Sequence, residues 1–254
     1  MAKAIPQSTD PTVRYLSTSQ AYDLWSAVYD TDGNFLQALD TIEMKTFMPR
    51  LLGFLEAAGL SRPWKLVDLG CGTGRNTAAL LEVDGATVVG LDVSPGMLEV
   101  ARQRLENTAA KGRLSLEVFD MIEQDSASEL ALDADAVVST LVLEHIPVDV
   151  FFKHVASILK PGGYLLLTNM HSEMGGISQA GFVDPVTGEK IRPTSYAHTI
   201  TEVEAEAAKN GFEIIGGKIE QRAVDKTLVP CLGERSAKWV GVMVWFGGIF
   251  RKRS

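Results

Sequence analysis

An α/β fold, with a mostly parallel sheet covered by helices on both faces, is predicted by three observations. The apolar run Leu66-Val67-Asp68-Leu69 leads into Gly70-Cys71-Gly72-Thr73-Gly74, and a helical stretch from Arg75 to Leu81 follows at once. Apolar runs and helical stretches then alternate as far as Thr168, the pattern of repeated right-handed strand–helix–strand units. The helix ending at Leu159 is closed by Lys160-Pro161-Gly162-Gly163, a stop signal that turns the chain into a strand starting at Tyr164.

Each element has its own signal. Tyr15 to Asp30 reads as a helical segment carrying Tyr15, Tyr22, Trp25 and Tyr29, and Asp32-Gly33-Asn34 reads as a turn. Thr41 to Ala58 places Met44, Phe47, Met48, Leu51 and Leu55 three and four apart, an amphipathic helix in which Pro49 implies a kink or break and Gly59 a stop. Leu66 to Leu69 is the first strand, and the glycines after it allow a backbone approach that a Cβ would block. Ala86 to Asp92 is the second strand. Ser94 caps the next helix, with Pro95 at its first position, and that helix runs to about Thr108. Leu114 to Asp120 and Asp135 to Thr140 are the third and fourth strands, Val148 to Leu159 a helix, and Tyr164 to Thr168 the fifth strand. Residues 171–198, with Gly175-Gly176, Gly181, Asp184-Pro185 and Gly188, read as irregular and of lid length. Thr201-x-x-Glu204 predicts a capping box for a helix ending at Asn210-Gly211. Phe212 to Ile219 and Lys238 to Phe246 supply the last two strands.

The 254 residues are read as a flexible leader, 1–13, and a single domain, 14–254, in which 14–60 form a helical cap and 171–198 a lid or substrate insertion. A 46% hydrophobic content is enough for a substantial core, whereas a net charge of -8 disfavours broad contact with a nucleic-acid backbone. The basic run Arg251-Lys252-Arg253 reads as a solvated terminus. Two isolated cysteines, Cys71 and Cys231, make neither a disulfide framework nor a zinc site and fit a reduced, cytoplasmic setting. Met1 to Val13 lacks the apolar core of a signal peptide. The apolar run Val240 to Phe250 falls well short of the ~20 residues that span a bilayer, and reads as a buried strand.

The glycine turn is the chemically informative stretch. A dinucleotide fingerprint needs Gly-x-Gly-x-x-Gly, but Arg75 stands in the third glycine's place, and the pattern is Gly-x-Gly-x-Gly with Asp68 ahead of it. Asp92 ends the next strand, at the ~20-residue reach from which a carboxylate accepts ribose hydroxyls. Together with Leu143-Glu144-His145-Ile146 after the fourth strand and the Pro161-Gly162-Gly163 turn, these features resemble the class I S-adenosylmethionine-dependent methyltransferases, of the small-molecule, ubiquinone/menaquinone-biosynthesis-like kind. The resemblance spans Tyr22 to Phe246 and is most specific from Val67 to Gly163. Tyr22 to Asn34 and Trp245 to Lys252 are similar to a fungal secondary-metabolism branch.

The resemblance implies a Rossmann-like seven-stranded sheet whose last strands form an antiparallel pair, and a site for S-adenosylmethionine and its product S-adenosylhomocysteine. It assigns Asp68, Gly70, Cys71, Gly72 and Gly74 to the methionine end, and Asp92, with Val93 and Met97 beside it, to the ribose. Asp120 and Met121 go to the adenine, and Thr140 and Leu141 to the methyl end. The acceptor, a small and partly apolar molecule, would meet Tyr22, Trp25, Tyr29, His145 and Asn169, through an oxygen, nitrogen or sulfur atom. For an acceptor hydroxyl, His145 is the first candidate base and His171 the second. A purely structural role for His145, hydrogen-bonded to backbone, stands level with that one, as core packing does for Trp25. Some relatives bind a metal through Glu-x-x-Glu-His. Here Leu141 occupies the first of those positions, so no obligatory metal is expected. Thr140 to Pro147 lacks the Pro-Pro-aromatic run of base-amino methylation, and Cys231 comes too late for carbon-5 chemistry. A non-catalytic S-adenosylmethionine-binding regulator is the alternative from another class. A nicotinamide-dependent dehydrogenase is disfavoured by Arg75.

Overall fold

The computed structural model describes residues 4–106, 108 and 112–253. In chain order the elements are β1 (Val13–Tyr15), α1 (Thr18–Trp25), α2 (Phe35–Ala57), β2 (Lys65–Leu69), α3 (Arg75–Leu81), β3 (Thr87–Asp92), α4 (Pro95–Leu105), β4 (Leu114–Val118) and β5 (Ala134–Thr140). There follow α5 (Val148–Ile158), β6 (Leu159–Met170), α6 (Ser172–Ile177), β7 (Phe182–Val183), β8 (Lys190–Arg192), α7 (Ile200–Lys209), β9 (Phe212–Ala223), α8 (Val229–Leu232) and β10 (Met243–Lys252). Short 3-10 turns cover Leu143–His145 and Glu234–Trp239.

Seven strands form one sheet in the order β4-β3-β2-β5-β6-β10-β9. The first five pair in parallel, and β10 runs antiparallel to both β6 and β9. The predicted α/β, Rossmann-like sheet is therefore present, antiparallel end included. Period-2 alternation decides which face each side chain covers. Leu66, Val88, Val138 and Leu166 pack with α2 on one face, while Val67, Leu69, Val89, Val137 and Leu165 pack with Phe151, Phe152 and Val155 of α5 on the other. Both faces are buried, as a parallel sheet requires.

Several local expectations are corrected. The helix of the cap starts at Phe35 rather than Thr41, because the Asn34 side chain accepts from the N–H groups of Leu36 and Gln37, and it continues unbroken through Pro49. Phe47 and Met48 before the proline, and Leu51 and Leu55 after it, are all buried, and that packing outweighs one lost backbone bond. The capping box uses Thr199 and Glu202, not Thr201 and Glu204. The third strand ends at Val118, before Asp120, and the last strand runs on to Lys252. Lys252 lies in that strand, not in a solvated tail, and its Nζ donates to the carbonyls of Ala156 and Leu159 at the C-terminal end of α5.

Met1 to Lys3 of the stretch expected to be a flexible leader, 1–13, lie outside the described residues, and Ala4 and Ile5 pair with Tyr196 and Ser195. The Ile5 N–H donates to the Ser195 carbonyl at 2.7 Å, and β1 pairs in parallel with β8. With β7 this gives a second, three-stranded sheet in the order β1-β8-β7, which ties Val13–Tyr15 to the 171–198 region. Among the described residues, no helix is long and apolar enough to cross a membrane.

Candidate active site

A cavity of about 340 Å³ opens at the C-terminal ends of β2, β3, β4 and β5, where parallel α/β sheets hold their ligands. Its floor is the glycine turn. Gly70 has φ 76°, and a Cβ there would lie 2.1 Å from Val142 Cγ2, so both backbone angle and space require glycine. Gly72, at φ 52°, has nothing within 4 Å of a built Cβ and presents bare backbone. Its N–H donates to Asp92 Oδ2 at 2.7 Å, and the Ser94 N–H donates to Asp92 Oδ1 at 2.9 Å. Burial pushes the Asp92 carboxyl up to about 6, against the pull of these backbone donors. Each carboxylate oxygen keeps a free lone pair for a further donor.

One side of the cavity is an apolar slot of Leu91, Val93, Met97, Phe119 and Met121, with Asp120 at its edge. Asp120 Oδ1 already accepts from the Ile122 N–H at 2.8 Å. Ser19 and Tyr22 of α1 and Tyr29 beyond it form the opposite wall. This wall is fastened down. Asp23 Oδ1 accepts from Ser94 Oγ at 2.6 Å and the Gly96 N–H at 2.9 Å, while Asp30 accepts from Thr73 Oγ1 at 3.0 Å and Arg104 at 2.6 Å. Asp23 lies between Tyr22 and Trp25 and Asp30 directly follows Tyr29, and no spacing in the sequence singles either out.

His145 faces the cavity from the 3-10 turn after β5. Its Nδ1 lies 2.8 Å from the Thr194 carbonyl and its Nε2 2.8 Å from the Tyr22 hydroxyl. A carbonyl only accepts, so Nδ1 carries the hydrogen, Nε2 keeps its lone pair, and Tyr22 donates to it. Burial holds the imidazole down at about 4, so it is neutral near pH 7.

A second cavity, of about 190 Å³, adjoins the first, and Tyr22, Tyr29 and Leu141 line both. Leu141, at φ 58°, is held in left-handed backbone at this junction by its N–H bond to the Thr168 carbonyl, a conformation that costs about 1 kcal/mol or more. Trp25 lines the second cavity, stacked on Phe182 with ring centroids 5.0 Å apart, and donates Nε1–H to Asp32. Glu144 lines it too. Its Oε2 is buried without a hydrogen-bond partner, and burial pushes the carboxyl up to about 7.

Not every residue expected at the site lines a cavity. Asp68 is buried beneath the turn, accepting from Thr77 Oγ1 at 2.6 Å, with its carboxyl pushed up to about 6 by burial. Cys71 is buried against Gly90, and Gly74 gives close approach to Ala101 of α4. These three shape the turn from behind. Asn169 is buried under the 3-10 turn, where its Oδ1 accepts from the Glu144 N–H at 3.1 Å. His171 lines neither cavity. It caps α6, with Nδ1 accepting from the Glu173 N–H and Nε2 bonded to Gln221. Arg75, the residue in the third-glycine place, pairs at 2.8 Å with the fully buried Asp40, which also accepts from Thr168 and Trp245. Among the described residues, no three His, Cys, Asp or Glu side chains gather as a metal site.

The larger cavity has what S-adenosylmethionine requires: a buried acceptor for hydroxyls, an apolar slot with a polar edge for a base, and exposed turn backbone for the charged end. Residues 67–165 match the family described as methyltransferase domain. An uncharacterized methyltransferase of Emericella nidulans is 49% identical over 92% of this chain and 91% of its own length. A ubiquinone biosynthesis O-methyltransferase of Xanthomonas axonopodis is 32% identical over 56% of each chain. In fold, the chain is similar to an S-adenosylmethionine-dependent methyltransferase structure from Mesorhizobium loti, with TM-score 0.55 and 21% identity, covering 74% of this chain and 91% of that one. The chain belongs to the class I S-adenosylmethionine-dependent methyltransferases.

Proposed function

We propose that the protein methylates a small, partly apolar molecule at a hydroxyl oxygen, with S-adenosylmethionine in the larger cavity and the acceptor in the smaller one. An amine or thiol acceptor would use the same two cavities without needing the base. The observation that carries the hydroxyl reading is the Thr194–His145–Tyr22 chain ending where the two cavities meet. In this reading Asp92 accepts the ribose hydroxyls, and Val93, Met97, Asp120 and Met121 surround the adenine. Gly70 and Gly72 present backbone to the methionine end, and Thr140 and Leu141 border the methyl.

The cofactor supplies a methyl group already activated on a sulfonium, which leaves the protein to align the acceptor, exclude water and take a proton. Tyr22 gives its own hydrogen to His145 Nε2 and has lone pairs free to accept an acceptor hydroxyl. As that hydroxyl loses its proton to Tyr22, the tyrosine passes its own to Nε2. The Thr194 carbonyl holds Nδ1–H throughout, which fixes the ring. An imidazole that titrates near 4 does not ionise the acceptor beforehand, so the proton leaves as the new bond forms.

The net charge of -8 supports a small-molecule acceptor over nucleic acid. We place the protein in the cytoplasm and in secondary metabolism, on its cysteine usage and its resemblance to the fungal branch. The test is label transfer from methyl-labelled S-adenosylmethionine to a panel of small phenols, alcohols, amines and thiols. Methylation of a phenol or alcohol that collapses in His145→Gln is the expected result. Label that goes only to amines or thiols, with no loss in the variant, refutes the base.

A further inference from the structure

Resting on that reading, the geometry points to an acceptor that carries an anionic group, a carboxylate or phosphate, on an apolar body. We propose that Lys190, Arg235 and Lys238 hold this group at the mouth of the smaller cavity and so set which end of the acceptor faces the methyl.

Three observations converge. Lys190 comes from β8 and the other two from the 3-10 turn Glu234–Trp239, so two separate insertions bring three cations to one opening. Among the described residues none of the three forms a salt bridge, in a protein whose net charge is -8. Arg235 instead donates to the Asp32 carbonyl at 2.6 Å, and the Lys238 ammonium stands 5.4 Å from the Trp239 ring. The Lys190 ammonium is held below its usual value, first by burial and then by Arg192, Lys238 and Arg235, with Asp10 opposing them. Like charges brought to one opening disfavour one another's charged form and raise the local positive potential, and an anion relieves both.

The cavity is polarised along its length. Cations ring the mouth, Phe35, Phe182 and Trp239 give the body an aromatic lining, and Glu144 stands in the wall with an unpartnered oxygen. An anionic group is drawn to the cations at the mouth, away from the buried Glu144 carboxyl. The opposite end of the acceptor then lies against Tyr22 and Leu141, where the cavities meet. Glu144 has a free acceptor for a second hydroxyl or amine on that inner end.

The test uses the full chain saturated with S-adenosylhomocysteine and follows tryptophan fluorescence. The probes are 4-hydroxycinnamate, its neutral methyl ester, and phenyl phosphate beside neutral phenol. Exposed or half-exposed charge pairs contribute modestly, so three cations together predict about tenfold tighter binding of an anion than of its neutral partner. That preference should shrink between about 50 and 300 mM salt, as screening requires. It should fall to about threefold or less in Lys190→Gln/Lys238→Gln, which leaves the Arg235–Asp32 bond in place, with S-adenosylhomocysteine affinity unchanged. A preference confined to 4-hydroxycinnamate assigns a carboxylate, and one confined to phenyl phosphate assigns a phosphate. Equal binding of charged and neutral probes, absence of probe binding, or a preference that survives the double variant overturns the proposal. Loss of S-adenosylhomocysteine binding by the unaltered chain would instead overturn the methyltransferase site itself.

Discussion

The neutral state of His145 can be tested without knowing the acceptor, through the pH dependence of stability. The ring is buried, and its folded value of about 4 lies below the unfolded value of 6.5. A group depressed in this way contributes stability that is fully present above pH 6.5 and is lost as pH falls toward the folded value. At about 1.4 kcal/mol per unit, the whole span amounts to roughly 3 kcal/mol, most of it gone by about pH 4.5. Asp68 and Asp92, both near 6, and Glu144, near 7, act with the opposite sign. Their folded values are raised, so their contribution is present at low pH and lost as pH rises. A comparison with His145→Gln subtracts them, because both proteins keep all three. Urea unfolding at about pH 8 and pH 4.5 should show the wild-type advantage over the variant shrinking by about 2–3 kcal/mol at the lower pH. A difference constant across that range would mean that His145 takes up a proton in the folded protein as easily as in the unfolded one. Burial would then not hold the ring neutral, and the reading that the proton leaves only as the new bond forms would lose its support.

Other substitutions test the supports of the site. Tyr22→Phe should leave S-adenosylhomocysteine affinity intact, lower kcat on a hydroxyl acceptor by about 100-fold and spare a thiol acceptor, measured by label transfer. Asp40→Asn removes the charge from a carboxylate that bonds Arg75, Thr168 and Trp245 in full burial, and should cost about 3 kcal/mol in urea unfolding. Gly70→Ala drives a Cβ to 2.1 Å from Val142 and forces a side chain onto left-handed backbone, for a cost of about 2–3 kcal/mol. Adding Val142→Ala should recover part of that loss, since it relieves the clash and not the backbone strain.

What could be read from the chain was local. Glycine spacing, the Ser94-Pro95 cap and the apolar runs carry their signal within a few residues, so the parallel strands and the Asp92 position were legible. The partners of His145 were not, because Tyr22 and His145 lie 123 residues apart and Thr194 acts through a backbone carbonyl that any residue supplies. His171 illustrates the same limit from the other side. A histidine at the end of a central strand has a catalytic look, but capping of α6 and a bond to Gln221 settle its orientation. Asp68 stands in the motif yet faces Thr77, since alternation along β2 sends its side chain beneath the turn. The smaller cavity comes from cap, insertion and C-terminal turn together, and no one of those segments carries a pattern for it.

The central claim, that the larger cavity binds S-adenosylmethionine through the glycine turn and Asp92, is tested most directly by calorimetric titration. The full chain would be titrated with S-adenosylmethionine, S-adenosylhomocysteine and NAD, beside Asp92→Ala. The account predicts saturable binding of both sulfur ligands, loss of that binding in the variant, and no binding of NAD. Absence of binding by either sulfur ligand, or equal affinity in Asp92→Ala, would contradict it.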